Sequence, residues 1–146
     1  MTTIFTQAQG AISSSILSLG TLASATYIAS AALDLTAAIP LDKTIQVECL
    51  PSTTPTGNKQ LVVFAKLSLD NSNFGTGPES GTTITDELDL HWIGTVPCNS
   101  ATTHRKFFSL AALPVARYMK IIVKNDMGVA LTSGNVYWAD ITGVGT

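Results

Sequence analysis

The sequence has few charged residues. Lysine, arginine, aspartate and glutamate make up 12% of its 146 residues, and the formal net charge is -2. An average soluble domain carries about twice that share of charge. A nucleic-acid-binding face needs a surplus of cations to displace counterions from phosphates, so the composition argues against a nucleic-acid partner. A weakly charged surface repels copies of itself only weakly, which favours an assembly over a dilute monomer.

Charge is missing altogether from residues 1–33, and the first cation is Lys43. The positive region that opens a secretory signal is therefore absent, which argues against a signal peptide. Hydroxyls and glycines interrupt the apolar residues of this region, which argues against a membrane span. We expect residues 1–20 to form an extended, uncharged arm, either frayed or ordered against a neighbouring subunit. Residues 21–146 are expected to form a single domain.

Residues that carry chemistry are also scarce, with two cysteines and two histidines. Cys49 alternates with Ile45 and Val47, so we expect it to face the core as an inert small hydrophobe. Cys98 follows Pro97 in a turn. A disulfide between them is conceivable, but the missing signal argues against it. Since no nucleophile is accompanied by a base, the sequence predicts a protein that is not an enzyme, with no catalytic residue, cofactor or metal site.

The pattern that is present has a period of two, which is typical of β-strands. Six segments show it clearly, and a seventh, near "ATYIASAALDL", is weaker. Turn-forming residues separate the segments, and only "FSLAALP" could form a short helical turn. The sequence therefore predicts an all-β protein, an antiparallel β-sandwich of jelly-roll-like architecture. The six segments are "TIQVECL", "QLVVFAKLSL", "LDLHWIGTV", "HRKFFSL", "RYMKIIVKN" and "VYWADITGV".

Alternation also predicts which side chains are buried. The less charged face of each strand is taken as the inner one, and the strand from Gln60 to Leu69, apolar on both faces except at Lys66, is taken as central. The residues predicted to face inward are Ile45, Val47, Val63, Ala65, Met119, Ile121 and Val123.

Three of the eight cations, Arg117, Lys120 and Lys124, lie in one apolar strand. Lys120 and Lys124 fall on the face opposite Ile121, so we interpret the lysines as marking the solvent side, where they discourage unwanted edge pairing. Gly128 is expected to turn the chain with positive φ. A phosphate or anionic-sugar site at the two lysines is the alternative.

Two acidic segments resemble metal sites in composition. Asp89 and His91 share a strand face and follow Asp86 and Glu87, a set that could offer ligands to a divalent metal. No second histidine-bearing segment is tied to them. This favours the interpretation that they are hydrated acidic side chains at the start of a strand.

The second acidic segment contains Asp70, Asn71, Asn73 and Glu79. It loosely resembles a calcium loop but lacks the required register of acids and glycine, which favours an ordinary turn-rich loop.

Four strand aromatics, Trp92, Tyr118, Tyr137 and Trp138, could form a stacking platform for a sugar. Aromatic side chains at such positions of a sandwich more often fill the core, which is the interpretation we prefer.

Turn motifs along residues 43–142 resemble those of a group of small structural proteins of tailed bacteriophages. In that family a "TG-K" turn leads into a strand ending "SLDG-N", a "-GT-PVP" turn precedes a basic-aromatic strand, and "LPARW-I-V-N-TG-AL" leads to the closing strand. Asn71 stands where the family has glycine and Tyr118 where it has tryptophan, and the N-terminal arm matches poorly. The matching segments are 57–59, 68–73, 94–97, 113–117 and 125–131.

The resemblance implies a virion component of the head or the tail that is not an enzyme. With the composition, it leads us to expect a capsid decoration or cement protein that is assembled in the host cytoplasm and resides on the head surface. Its partner would be the major capsid protein, and it would form a trimer or another small homo-oligomer, with no nucleic acid or membrane contact. The alternative is a tail- or fibre-associated module that binds host glycans through loop 70–80 and the tryptophans.

Overall fold

The computed structural model describes residues 5–35, 42–82, 87 and 89–145, which form eleven β-strands and no helix. In this part of the chain there is accordingly no helix that could cross a membrane. The strands are Phe5–Ile12 (β1), Leu17–Ser18 (β2), Thr26–Ala29 (β3), Leu33–Asp34 (β4), Asp42–Pro51 (β5), Gln60–Ser68 (β6), Gly81–Thr82 (β7), His91–Pro97 (β8), His104–Ser109 (β9), Tyr118–Asp126 (β10) and Leu131–Gly145 (β11).

The strands form two antiparallel sheets that enclose a common core. Sheet 1 has the order β1-β11-β5-β9, with β2 also paired to β11. Sheet 2 has the order β7-β3-β10-β6-β8, with β4 also paired to β10. The predicted all-β antiparallel sandwich is confirmed. The six predicted strands correspond to β5, β6, β8, β9, β10 and β11, and the weaker seventh to β3 and β4.

The core lies between the inner faces of the sheets, where alternate residues of each long strand meet. All seven residues predicted to face inward are buried, and six of them have no exposed surface; Met119 retains 2%. The central position of β6, between β10 and β8, is also confirmed. Since adjacent residues point to opposite faces, these positions fix the register of β5, β6 and β10.

The N-terminal segment pairs with sheet 1 of the same chain. β1 pairs with β11 from Phe5 to Ile12, and Leu17 and Leu19 are buried in the core. The extended arm expected at residues 1–20 is therefore not confirmed, because this segment contains strands that pair with β11. The strand pattern of this segment is hard to see in the sequence, because glycine and hydroxyl residues interrupt the alternation of apolar and polar residues. Cross-strand neighbours on β11 supply the packing that its small side chains lack.

Two turns fix the ends of strands. The predicted positive φ of Gly128 is confirmed at 78°, and the buried Asn125 holds this turn. Its amide nitrogen donates to the carbonyl oxygens of Leu22 and Val129, at 3.0 and 2.8 Å. At "FSLAALP" there is one hydrogen-bonded turn, from the Leu113 N–H to the Leu110 carbonyl oxygen, 3.1 Å. The jelly-roll connectivity stays a prediction and is considered below.

Candidate interaction surface

The outer face of sheet 2 is covered by described residues of the segment that joins β6 to β8, among them Glu79, Glu87 and Leu90. Beneath it, Tyr27, Phe64 and Ile122 are nearly or fully buried in a small apolar cluster separate from the main core. Leu90 packs against this cluster, and Pro78 is buried. The outer face of β10 is thus not the solvent side that we expected from its lysines, although the assignment of the lysines to that face is correct. β10 is also a central strand, so its lysines do not protect an edge.

Two lysines of sheet 2 bind one carboxylate of the covering segment. Lys66 and Lys120 are opposite each other on β6 and β10. The Lys120 ammonium donates to both oxygens of Glu79 at 3.0 Å, and Lys66 donates to Glu79 Oε1 at 3.2 Å and to the Gly77 carbonyl oxygen at 2.9 Å. The hydrogen bond from Lys120 outweighs partial burial and keeps the pKa of Glu79 below its ordinary value. Glu79 therefore fastens the segment to the sheet.

Lys124 of β10, and Arg117 directly before β10, also have carboxylate partners. Lys124 donates to Glu87 Oε1 at 3.0 Å, and the Tyr27 hydroxyl donates to the same oxygen at 2.9 Å. Burial and this hydrogen bond raise the pKa of Tyr27. Arg117 lies 3.6 Å from Asp34. Since each cation already has an anionic partner, the arrangement disfavours the phosphate or anionic-sugar site considered from the sequence.

Two of the four residues considered as a metal site, Glu87 and Asp89, bind other side chains. Glu87 binds Lys124 and Tyr27, and Asp89 accepts a hydrogen bond from the Thr76 hydroxyl. Asp86 lies outside the described residues. Within residues 5–35, 42–82, 87 and 89–145, no three histidine, cysteine, aspartate or glutamate side chains are grouped so that they could hold a metal.

The segment that resembles a calcium loop is a tight turn centred on Asp70. Its carboxylate accepts hydrogen bonds from the backbone N–H groups of Asn73 and Ser72 at 2.8 and 2.9 Å, and from Ser68 and the Asn73 amide. The two backbone N–H groups are the main reason that the pKa of Asp70 is lowered. Asn71 takes positive φ, 64°, where the phage family has glycine. The oxygens of Asp70 therefore organise the turn itself.

The two cysteines are fully buried free thiols with their sulfur atoms 3.4 Å apart. Cys49 faces the core as predicted. The short distance to Cys98 was not predictable, because Cys98 directly follows a strand of the other sheet and lies 49 positions along the chain.

The four aromatic residues have different environments. Trp138 packs against the main core, with the Lys43 ammonium 3.9 Å from its ring centroid. Tyr118 and Tyr137 are half-buried. Trp92 lies opposite Phe64 on edge strand β8 and is 64% exposed, so the preference for a core role is wrong at this position. An edge strand has a neighbour on one side only, which leaves a large outward side chain uncovered.

The outer face of sheet 1 carries a shallow groove that crosses four elements. Phe107 on β9, Gln46 on β5 and Tyr137 on β11 form one cross-strand row. Ile12 on β1 lies opposite Ala139 in the next row. We call this feature the outer groove; it has a volume of about 270 Å³ open to solvent and is lined by Gln9, Ile12, Thr44, Gln46, Phe107, Tyr137, Trp138 and Ala139.

The outer groove has an uncharged lining and a charged margin. None of its eight described lining residues is ionisable except Tyr137. Ile12 and Phe107 are 57% and 60% exposed. The next row toward the end of the sheet contains the ion pair of Arg105 with Glu48. Phe107 and Ile12 were not predicted from the sequence. The adjacent phenylalanines 107 and 108 were the available signal, because two neighbours on a strand cannot both face the core.

Neither a protein-family model nor a curated protein matches the chain. The resemblance to phage structural proteins therefore rests on the turn motifs of the sequence.

Proposed function

We propose that the protein is a non-enzymatic structural component of a tailed-phage virion, which decorates the head surface and cements the shell by binding the major capsid protein. The observation that carries the proposal is the outer groove. Its lining is uncharged, and two of its large apolar side chains are more than half exposed. The free energy of the system falls when another protein covers such side chains and removes them from water.

The distribution of polarity around the groove fits a protein interface. Interface centres are depleted in charged residues and enriched in aromatic ones, while their margins are polar. Phe107 and Tyr137 occupy the centre, and Arg105 with Glu48 occupies the margin. The rigid β-sheet beneath these side chains holds them in place before binding, which lowers the entropic cost of association.

The strand order supports a jelly-roll connectivity, as we infer from the sequence of crossings between the sheets. In chain order the main strands are β1, β3, β5, β6, β8, β9, β10 and β11. They pair in the order β1-β11-β5-β9 in sheet 1 and in the order β3-β10-β6-β8 in sheet 2. Jelly rolls occur among viral capsid domains. Since a fold hosts many functions, this connectivity supports the proposal only together with the groove.

The mechanism we propose is adhesion by many equivalent copies. The protein would be assembled in the host cytoplasm, form a trimer or another small homo-oligomer, and bind repeated positions of the shell. Modest contacts then become collectively strong through multivalency. Binding to the assembled shell, and not to its dissociated subunits, stabilises the shell by mass action.

The test is the occupancy of virions by groove variants. Phe107→Asp places a charge at the centre of the groove and should reduce occupancy about tenfold or more, with a loss of shell stability to heat. Val115→Asp is the matched control, because Val115 is 89% exposed and outside the groove; its occupancy should equal that of the wild type. Imaging of virions at a resolution that traces chains would locate the protein directly. Full occupancy by Phe107→Asp would overturn the proposal.

The exposure of Trp92 favours one alternative, a tail- or fibre-associated module that binds host glycans. An exposed tryptophan can stack on a sugar face, and the turn at residues 70–73 is exposed to solvent. In that case Trp92→Ala should abolish adsorption to host cells while Phe107→Asp leaves it unchanged. Normal adsorption by Trp92→Ala, together with reduced virion occupancy by Phe107→Asp, supports the cement function.

A further inference from the structure

The buried thiols of Cys49 and Cys98 lie at a junction between the two sheets. Cys49 belongs to β5 of sheet 1, and Cys98 directly follows β8 of sheet 2. Their sulfur atoms are 3.4 Å apart, and neither residue has exposed surface. A buried cysteine alone is usually a small hydrophobe. Two cysteines whose sulfur atoms are in contact between two sheets can also form a disulfide bond.

The geometry requires only a small approach of the sulfur atoms. A disulfide has a sulfur–sulfur length of about 2.05 Å, so the distance must shorten by about 1.4 Å. Cys98 is at the start of the turn 98–103, in which four of the six residues are exposed, and its Sγ lies 3.3 Å from the Val96 carbonyl oxygen. A rotation of the Cys98 side chain with a small shift of this turn can supply the approach.

The two thiols also differ in acidity, in a way that suits stepwise reaction. The hydrogen bond to Cys98, together with burial, raises the pKa of Cys49. The same hydrogen bond lowers the pKa of Cys98 against the effect of burial. Cys98 therefore loses the first proton of the pair, and it is also the residue next to the exposed turn.

We propose that Cys49 and Cys98 are a reversible redox pair that forms a disulfide between the two sheets when a small-molecule disulfide such as oxidised glutathione is present. The Cys98 thiolate attacks one sulfur of the oxidant and releases one glutathione thiolate, giving a mixed disulfide. Cys49 then gives up its proton and attacks the Cys98 sulfur, which expels the second glutathione. The protein loses two hydrogens with their electrons, and the oxidant becomes two molecules of glutathione.

Two consequences follow from the position of the pair. Oxidation is slow, because the fully buried sulfur atoms meet the oxidant only when the turn 98–103 opens. The bond closes a long segment of chain across the core, which restricts the unfolded state and raises thermal stability. The inference does not depend on the proposed virion function.

The experiment compares the folded full-length protein after incubation with reduced or oxidised glutathione. The oxidised sample should lose about 2 Da, carry no thiol that reacts with iodoacetamide after unfolding, and yield one cross-linked peptide pair containing Cys49 and Cys98. Its midpoint of thermal unfolding should rise by about 10 °C, and excess reductant should reverse the shift.

Cys49→Ala and Cys98→Ala provide the controls. Each should show no thermal shift with oxidised glutathione and should keep its remaining thiol or gain a single glutathione. If either variant fails to fold, the peptide map of the wild-type protein decides. Free thiols, glutathione adducts or intermolecular disulfides in the wild-type map at equilibrium would each overturn the proposal, as would a thermal shift that persists in the variants.

Discussion

Consecutive residues of β10 contact two different environments. Ile121 is fully buried in the main core, whereas Lys120 points to the outer face and binds Glu79. The isoleucine makes contacts in every direction, so its removal leaves a cavity that close packing cannot refill. The lysine lies under a partly solvated segment. An ion pair there adds little to the free energy of unfolding, because the two charged groups are also well solvated when they are apart. The two positions should therefore differ strongly in energy although they are adjacent.

Ile121→Ala should lower the free energy of unfolding by about 2–5 kcal/mol. Lys120→Ala, the neighbouring control, should lower it by about 1 kcal/mol or less, because its partner Glu79 remains partly solvated and retains Lys66. Urea denaturation measures both values, provided that the m-value is unchanged. Equal losses at the two positions would contradict the burial of Ile121.

At the scale of elements, the segment between β6 and β8 acts as a cover over the outer face of sheet 2. Leu90 packs on the small apolar cluster, while Glu79 and Glu87 bind lysines of the sheet. The cover combines burial, which is independent of pH, with ion pairs that need ionised carboxylates. Protonation should therefore weaken it without removing it.

Glu79→Gln tests the ionic contribution. The folded-state pKa of Glu79 lies below its ordinary value of 4.5. Its ionised form therefore stabilises the fold above pH 4.5, and this contribution is lost as the pH falls through the lowered folded pKa. The difference in unfolding free energy between the wild type and Glu79→Gln should be largest at pH 7 and should narrow by pH 3.

Lys120→Ala provides the control for this pH dependence. With Lys120 absent, Glu79→Gln should cost less than in the wild type, since only Lys66 remains as a partner. A wild-type-to-variant difference that is the same at pH 7 and pH 3 would contradict a role for the charge and would indicate that only the shape of the side chain matters.

For the whole molecule, local alternation predicts much of the sandwich because burial of one strand face leaves a period of two in the sequence. Ile45, Val47 and Cys49 illustrate this, since each is fully buried as expected. Features that depend on distant segments were not predictable. The cover over Ile122 depends on which segment lies across sheet 2, and the sequence around this residue contains no record of that. The adjacent Phe107 and Phe108 show that one of the two faces outward, but whether another element covers that residue also depends on distant segments.

The contact of Cys49 with Cys98 was also not predictable, because it depends on how the two sheets pack against each other. The N-terminal segment is an intermediate case. Its composition of small and hydroxyl residues hides a strand pattern that becomes evident only beside β11. Its two leucines, Leu17 and Leu19, nevertheless lie in the core.

Two N-terminal deletions test whether the start of the chain belongs to the sandwich. Removal of residues 1–12 takes away edge strand β1 but leaves Leu17 and Leu19, so the protein should remain folded with an exposed β11 edge and a tendency to associate. Removal of residues 1–20 also removes both buried leucines, each of which contributes about 2–5 kcal/mol. That loss is comparable to the whole stability of a typical domain, so the shorter protein should unfold. Circular dichroism with thermal melting distinguishes the two cases, and the full-length Leu17→Ala/Leu19→Ala variant shows how much of the larger loss comes from the side chains alone. If the protein without residues 1–20 melts like the wild type, the segment is a detachable arm, as its composition first suggested, and its pairing with β11 is dispensable.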